Sequence, residues 1–348
     1  MRTVAVAGVL YAHSVRSDII TGHWGVQLFF VISGFLITGL LLDGRGTGNR
    51  RDAKPLRNFY IRRILRLWPA YYAILFVALA LNWESIRLSA AWHIFYGTNI
   101  YYYLNNTYDP WIVDHFWSLD VEEQYYLVWP FIIYGCRRAA LPYVIFAIML
   151  MSWLGNVLAD PLGWNRSEIG VDALLPFSLT ALSAGSMLAL LYRTDRRLLR
   201  FLPWIGAIGA ALWIAIMSSN GIWSIWAMPF EVLVWTTIVH LAARGMPGPI
   251  GVLLASPPVR YCGMVSYGIY LYHGFIIFLL GEGWLFGHQF TTGHVMFTLT
   301  TLFSLIAASL SWYLLESPVN QFKHRFPYPR GAGPTPATTP PIKKKCQA

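Results

Sequence analysis

The chain has 348 residues, of which 56% are hydrophobic and only 12% charged, with a mean hydropathy of +0.48. Soluble domains carry about 25% charged residues, so a water-soluble globule is excluded and a polytopic membrane protein is implied. The net charge of +10 reads first as a topological signal, because basic loops stay in the cytoplasm; no basic face outside the membrane loops suits a nucleic acid.

Long apolar runs without strict alternation predict helices rather than a barrel. The expected fold is all-α: a bundle of about ten transmembrane helices near 2–20, 24–42, 67–82, 119–136, 140–158, 173–192, 201–219, 226–243, 263–281 and 294–315. Sixteen Trp and twenty Tyr suit interfacial belts. The first run lacks a small-residue cleavage site and a second follows at once, so it reads as a span and not as a leader. The run AAWHIFYGTNIYYYLNN (90–106) is too polar for a lipid-facing helix. It predicts a re-entrant or interfacial segment near 90–118. With that run not spanning, the basic loops 43–66, 137–138, 193–200, 244 and 323–345 fall on one side. The reading is a multi-pass protein of the inner (cytoplasmic) membrane, with both termini cytoplasmic. One membrane domain is expected over 1–318, followed by a disordered basic tail over 319–348. Cys136, Cys262 and Cys346 make neither a metal spacing nor a disulfide framework, and no metal is expected.

Polar residues inside spans are the candidates for chemistry. With Arg2 at the inner surface, His13 lies about 16 Å up the first helix, near the bilayer midplane. Polar groups there usually face a cavity or the bundle interior, and imidazole moves protons near neutral pH. Taken alone, His13 leaves a packing role open. In NFYIRRILRLWP (58–69), Arg62, Arg63 and Arg66 cluster where a basic loop enters the membrane. Topology explains such a cluster, yet Arg63 and Arg66 are one turn apart and suit two-pronged phosphate binding.

The stretch DHFWSLDVEEQYY (114–126) gathers Asp114, His115, Asp120, Glu122 and Glu123. Capping explains part of it, with Ser118 and Asp120 as N-cap candidates. It does not require His115, Trp117 and two adjacent glutamates. Glu122 and Glu123 point about 100° apart on a helix, so at most one shares a cavity with His13, where a carboxylate would orient the imidazole. In MVSYGIYLYHGF (264–275), Ser266, Tyr270 and His273 share a face; structural and catalytic roles both stay open for His273. Glu231 and His240 lie within an apolar span and suit the lining of a pathway.

Together these motifs resemble the acyltransferase 3 family of integral-membrane O-acyltransferases, which modify surface polysaccharides, lipopolysaccharide, lipid-linked sugars and macrolides. Arg2 and His13 match the family's opening basic residue, ten residues and histidine. WGVQLFFVISGFLITGLLL (24–42) matches its second helix, and Arg63 and Arg66 its RxxR motif. HFWSLDVEEQYYLVWP (115–130), SYGIYLYHGF (266–275) and Glu316–Pro318 follow in order. There are departures. The chain begins one residue before Arg2, Gln27 replaces an acidic residue, and Gly274 follows His273 where relatives end in proline a residue later. The last change is expected to affect local helix geometry only. No fused esterase-like domain is expected after the last span, so transfer would finish in the membrane domain or on a partner.

The resemblance implies an enzyme moving an acyl group, acetyl by default, from acyl-coenzyme A to a hydroxyl of a carbohydrate or glycosylated acceptor. It implies coenzyme phosphates on Arg63 and Arg66, with Arg62 in addition, and Arg2 holding the coenzyme or positioning its helix. His13 would act as base or transient acyl carrier, with Glu122 as its carboxylate partner. His115, Trp117 and Ser118 would shape the outer opening, with Ser266, Tyr270 and His273 in support. The partners implied are acyl-coenzyme A, the acceptor and the lipid bilayer. Two other readings stay open: a glycolipid transporter or flippase, and an accessory subunit relaying acyl groups to another protein.

Overall fold

Each of the ten apolar runs forms a helix, because a backbone in hydrocarbon must satisfy its own hydrogen bonds. A computed structural model describes residues 1–15, 20–45, 54–220, 225–285 and 287–327, and among these there is no β-strand. The first helices are α1 (Arg2–Val15), α2 (Ile20–Arg45) and α3 (Lys54–Leu81). Two short pieces, α4 (Ala90–Ile94) and α5 (Thr98–Asn105), lead to α6 (Phe116–Gly135). Then come α7 (Leu141–Ala159), α8 (Leu175–Thr194), α9 (Leu202–Asn220) and α10 (Met228–Arg244). The short α11 (Gly248–Ala255) and α12 (Pro257–Met264) precede α13 (Ser266–Gly281), α14 (His294–Ser311) and α15 (Ser317–Gln321).

Among the described residues, six helices are long and apolar enough to cross a membrane. The number is eight if α10 with α11 and α12 with α13, bent by 76° and 70°, each form one span. The other two predicted spans fall short for physical reasons. Helix α1 has 14 residues, and α6 carries Asp120, Glu122 and Glu123. Both helices contribute polar groups to the interior site described below, where protein rather than lipid surrounds them.

Helices α2 and α8 form the centre: 78% and 61% of their apolar windows are buried, against 11% to 28% for the other single-helix spans. Lipid supplies no hydrophobic drive between helices, so close crossings rest on small residues. A side chain at Gly34 would strike the Leu182 backbone, and one at Gly185 the Val31 backbone. Gly25 meets the Ala5 carbonyl of α1 in the same way. These crossings hold α1 against α2 and so fix where His13 stands.

Residues 83–113 fold as short helices between α3 and α6, as expected of a non-spanning segment. Several of its buried polar groups are satisfied by protein. His93 bonds Ser89 Oγ and Thr98 Oγ1, each at 2.9 Å. Asp120 accepts the backbone N–H of Thr98, the first residue of α5, at 2.5 Å. Asp120 thus serves the N-terminus of α5 and not that of α6, which starts after His115 without a side-chain cap.

The basic segments meet at one end of the bundle. Arg45 donates to the Ile133 carbonyl at 2.6 Å, near the end of α6. Arg193 pairs with both oxygens of Asp43 at 2.7 Å. Arg62 donates to the Lys323 carbonyl at 2.8 Å. Past 318, α15 and a following turn over Phe322–Arg325 are helical and pack on α3. Residues 328–348 of the expected tail, and 46–53 of the basic loop, lie outside the described residues.

Candidate active site

Successive helix positions turn by 100°, and the start of α6 uses this to send its polar residues three ways. Asp120 turns to α5. Ser118 and Glu122, four apart, face a narrow cleft. Asp114, His115 and Trp117 face a larger chamber.

The cleft has room for about 60 Å³ and is lined by Arg2, Arg63 and Arg66 together with Glu122 and Ser266. Glu122 accepts hydrogen bonds from Ser33 Oγ at 2.8 Å and the Tyr126 hydroxyl at 2.7 Å. The Arg63 guanidinium lies 3.9 Å from the centre of the Tyr126 ring, a cation–π contact. Ser266 Oγ donates to the Gly263 carbonyl at 3.0 Å. Two sequence expectations change here. Arg62 does not line the cleft, because it bonds the Lys323 and Phe326 carbonyls instead. Glu122 and His13 are not brought together: each lines a different space.

The chamber, about 450 Å³, holds His13 and His115, with buried His273 behind them. Ring centroids of His13 and His273 lie 5.0 Å apart, and those of His273 and His115 4.6 Å apart. A carbonyl only accepts, so two tautomers are fixed. His273 donates through Nδ1 to the Tyr270 carbonyl at 2.5 Å, leaving Nε2 as the remaining nitrogen. His115 donates through Nε2 to the Leu271 carbonyl at 3.1 Å, leaving Nδ1, which lies 3.4 Å from Asp114 Oδ1. Burial works to raise the Asp114 carboxyl, but hydrogen bonding with His115 and the charges of His13 and His115 outweigh it and hold the group below its ordinary range. Three imidazoles this close do not all hold a charge, and one carboxylate offsets one of them.

Gly274 matters more than local helix geometry. A Cβ there would sit 2.5 Å from His115 Cε1, so the glycine is what seats the His115 ring.

Val26, Phe30 and Tyr270 line both spaces and form the partition between them. The Tyr270 hydroxyl shares a 2.5 Å hydrogen bond with Ser118 Oγ. Trp117 meets Phe30 edge-on at 6.4 Å.

Sequence reasoning passed over His23 and set Glu231 aside. His23 Nε2 lies 3.4 Å from Glu231 Oε1, and Trp235 Nε1 donates to the same oxygen at 3.1 Å. His23 stands four residues before Gln27 on one face of α2, a readable spacing; its pairing with α10 was not readable. His240 parts from Glu231 and bonds Tyr192 at 2.9 Å. Among the described residues, no group of three or more His, Cys, Asp or Glu is placed to hold a metal ion.

A family model described as an acyltransferase domain matches residues 1–314. The chain belongs to the acyltransferase 3 family. YrhL of Bacillus subtilis is 29% identical over 353 residues, covering 92% of this chain and 54% of its own length. OatA of Staphylococcus aureus, an O-acetyltransferase, is 25% identical over 352 residues, covering 92% of this chain and 56% of its own. OatA of Listeria monocytogenes, a peptidoglycan O-acetyltransferase, is 28% identical over 316 residues, covering 80% and 49%. The chain spans about half the length of these curated relatives. No solved structure matches this acyltransferase.

Proposed function

We propose that this acyltransferase transfers an acyl group, acetyl by default, from acyl-coenzyme A to a carbohydrate hydroxyl, with the two reactants entering from opposite ends. The observation that carries this is the meeting of a cationic cleft and an imidazole-lined chamber at one partition, Val26, Phe30 and Tyr270. Positive charge favours the cytoplasmic side, so the arginine end and both termini face the cytoplasm. A cleft of about 60 Å³ suits a thin thioester arm, while the phosphates stay at its mouth on Arg63, Arg66 and Arg2. O-Acetyl transfer by the two OatA relatives supports a sugar hydroxyl as acceptor.

In this reading His13 takes the hydroxyl proton as the oxygen attacks the thioester carbon. The new C–O bond forms, the C–S bond breaks, and the thiolate leaves toward the cleft, where it is protonated. Of the Tyr270 and Ser118 hydroxyls at the partition, one spends its proton on the other, and the second donates its own to the oxyanion. His273, with its proton committed to the Tyr270 carbonyl, offers a lone pair that orients His13, and Asp114 balances the cluster's charge through His115.

Purified protein given acetyl-coenzyme A and a soluble glycan of N-acetylglucosamine and N-acetylmuramic acid is expected to yield O-acetylated glycan by mass spectrometry. Coenzyme A release without acetylated glycan would favour the accessory relay. Glycolipid movement across proteoliposomes with neither product would favour the transporter.

A further inference from the structure

A third cavity stands beside the arginine cleft, and the chemistry above leaves it unassigned. It has room for about 330 Å³ between the start of α1, α2, α11 and α12. Its guanidiniums are those of Arg2 and Arg260, and no Asp or Glu is among the lining residues described. Arg2 lines the cleft as well, so one side chain is common to both spaces. The cleft's own carboxylate, Glu122, is turned to Ser33 and Tyr126. Arg260 is held in place by its backbone. Thr3 Oγ1, one residue after Arg2, donates to the carbonyl of Val259, one residue before Arg260, at 2.7 Å. Gly263, one turn further along α12, allows that approach: a Cβ there would lie 3.1 Å from Thr3 Oγ1. Two neighbouring residues thus tie α1 to α12, with a guanidinium next to each. The Arg260 backbone N–H bonds the Ser256 carbonyl at 3.0 Å, while its exposed side chain keeps its donors for solvent or a ligand.

We propose that this cavity seats the nucleotide end of the acyl-coenzyme A, with Arg260 binding the ribose 3′-phosphate and Ile32, Leu36 and Leu254 covering the purine. This rests on the reading of acyl-coenzyme A as the donor. A cleft of about 60 Å³ takes the thin thioester arm but not a purine and a ribose, so the nucleotide needs a seat of its own within reach of Arg2. A phosphate monoester carries nearly two negative charges at neutral pH, and the planar fork of a guanidinium matches its oxygens. Ile32, Leu36 and Leu254 line the same cavity and suit the flat apolar faces of a base. The other source of phosphate at this height is a lipid headgroup, because α11 exposes Ile250, Val252 and Leu253 next to Leu254. The shared Arg2 favours the coenzyme, whose diphosphate lies between its arm and its nucleotide; a headgroup has no part that enters the cleft.

The test is calorimetry of the full chain in phosphatidylcholine nanodiscs, titrated with coenzyme A and with 3′-dephospho-coenzyme A. The unaltered protein is expected to bind coenzyme A about tenfold more tightly, the worth of one charge-assisted contact. Arg260→Gln should lose about that factor for coenzyme A and keep its affinity for the dephospho form, so the discrimination vanishes. The retained dephospho affinity verifies that the variant is folded. Arg260→Lys, which keeps the charge without the fork, should recover part of the difference. Equal binding of the two coenzymes by the unaltered protein, or discrimination that survives Arg260→Gln, overturns the proposal. A second arm measures phosphatidylglycerol retained by the purified protein. If Arg260→Gln lowers that retention and leaves the discrimination intact, the site belongs to a lipid headgroup and the proposal falls. Failure of the unaltered protein to bind either coenzyme overturns the donor reading itself, and this inference with it.

Discussion

The cleft and the chamber share four helices, α1, α2, α6 and α13, yet they differ in size and in charge. The cleft has about 60 Å³ and three guanidiniums; the chamber has about 450 Å³, imidazoles and carboxylates. Helix α1 alone places Arg2 in one and His13 in the other. The lesson is that a single helix, with ten residues between Arg2 and His13, would on the proposed reading sort an anion-binding task from a proton-moving one by height along its axis. Glu122 on α6 and His115 at its N-cap make the same point. About two turns of chain, not a second domain, separate their surroundings.

The strongest way to break this division is at His13. His13→Ala is expected to lower kcat by about 10²–10⁴-fold while coenzyme A affinity stays unchanged; loss of coenzyme binding would show that the two spaces are not separate. Next come the arginines. Arg63→Gln and Arg66→Gln each remove a charge-assisted contact of about 1.5–3 kcal/mol, so the KM for acetyl-coenzyme A should rise about 10–100-fold. Arg62→Gln, whose guanidinium is turned to the Lys323 carbonyl, should leave that KM within about twofold. Equal effects at all three positions would contradict the geometry.

Gly274→Ala sharpens the comparison from the chamber side. The added methyl displaces the His115 ring and should cost about 1–3 kcal/mol of stability, read as a lowered melting temperature. Its kcat should fall with the KM for coenzyme unmoved. The smallest effect lies under the chamber's rim, where Glu84 accepts the N–H of Ile112 at 2.7 Å, two residues before Asp114. Burial pushes the Glu84 carboxyl up to about 7 from an ordinary 4.5. A group raised in the folded state gives stability that is complete below its unfolded value and is lost as pH climbs through the folded one. The protein should therefore melt lower at about pH 8 than at about pH 5 in part because of this group, and Glu84→Gln should shrink that difference. An unchanged slope would remove Glu84 from the account.

The spans were legible because apolar runs leave a backbone in lipid one solution. Faces within one helix were legible too: Arg63 with Arg66, and Ser266 with Tyr270, share a space as their spacing requires. What stayed hidden depends on partners far along the chain. Arg62 differs from Arg63 by one position, and only the fold brings the Lys323 carbonyl to it. Glu122, expected beside His13, lines the cleft, and Asp114 lines the chamber, for the same reason. Spacing gives the angle between two groups on a helix and says nothing of which cavity each angle meets. Gly274 was read as a local feature because its contact, His115, comes from another helix.

The partition of Val26, Phe30 and Tyr270 is thin and largely greasy, and that has an energetic consequence for the cell. A bilayer stores work as an ion gradient, and any continuous wet passage would discharge it. On the proposed reading, only a small uncharged fragment is handed across the wall, while the bulky carrier and the sugar each stay on their own side. Each turnover then exports a chemical group without opening a leak.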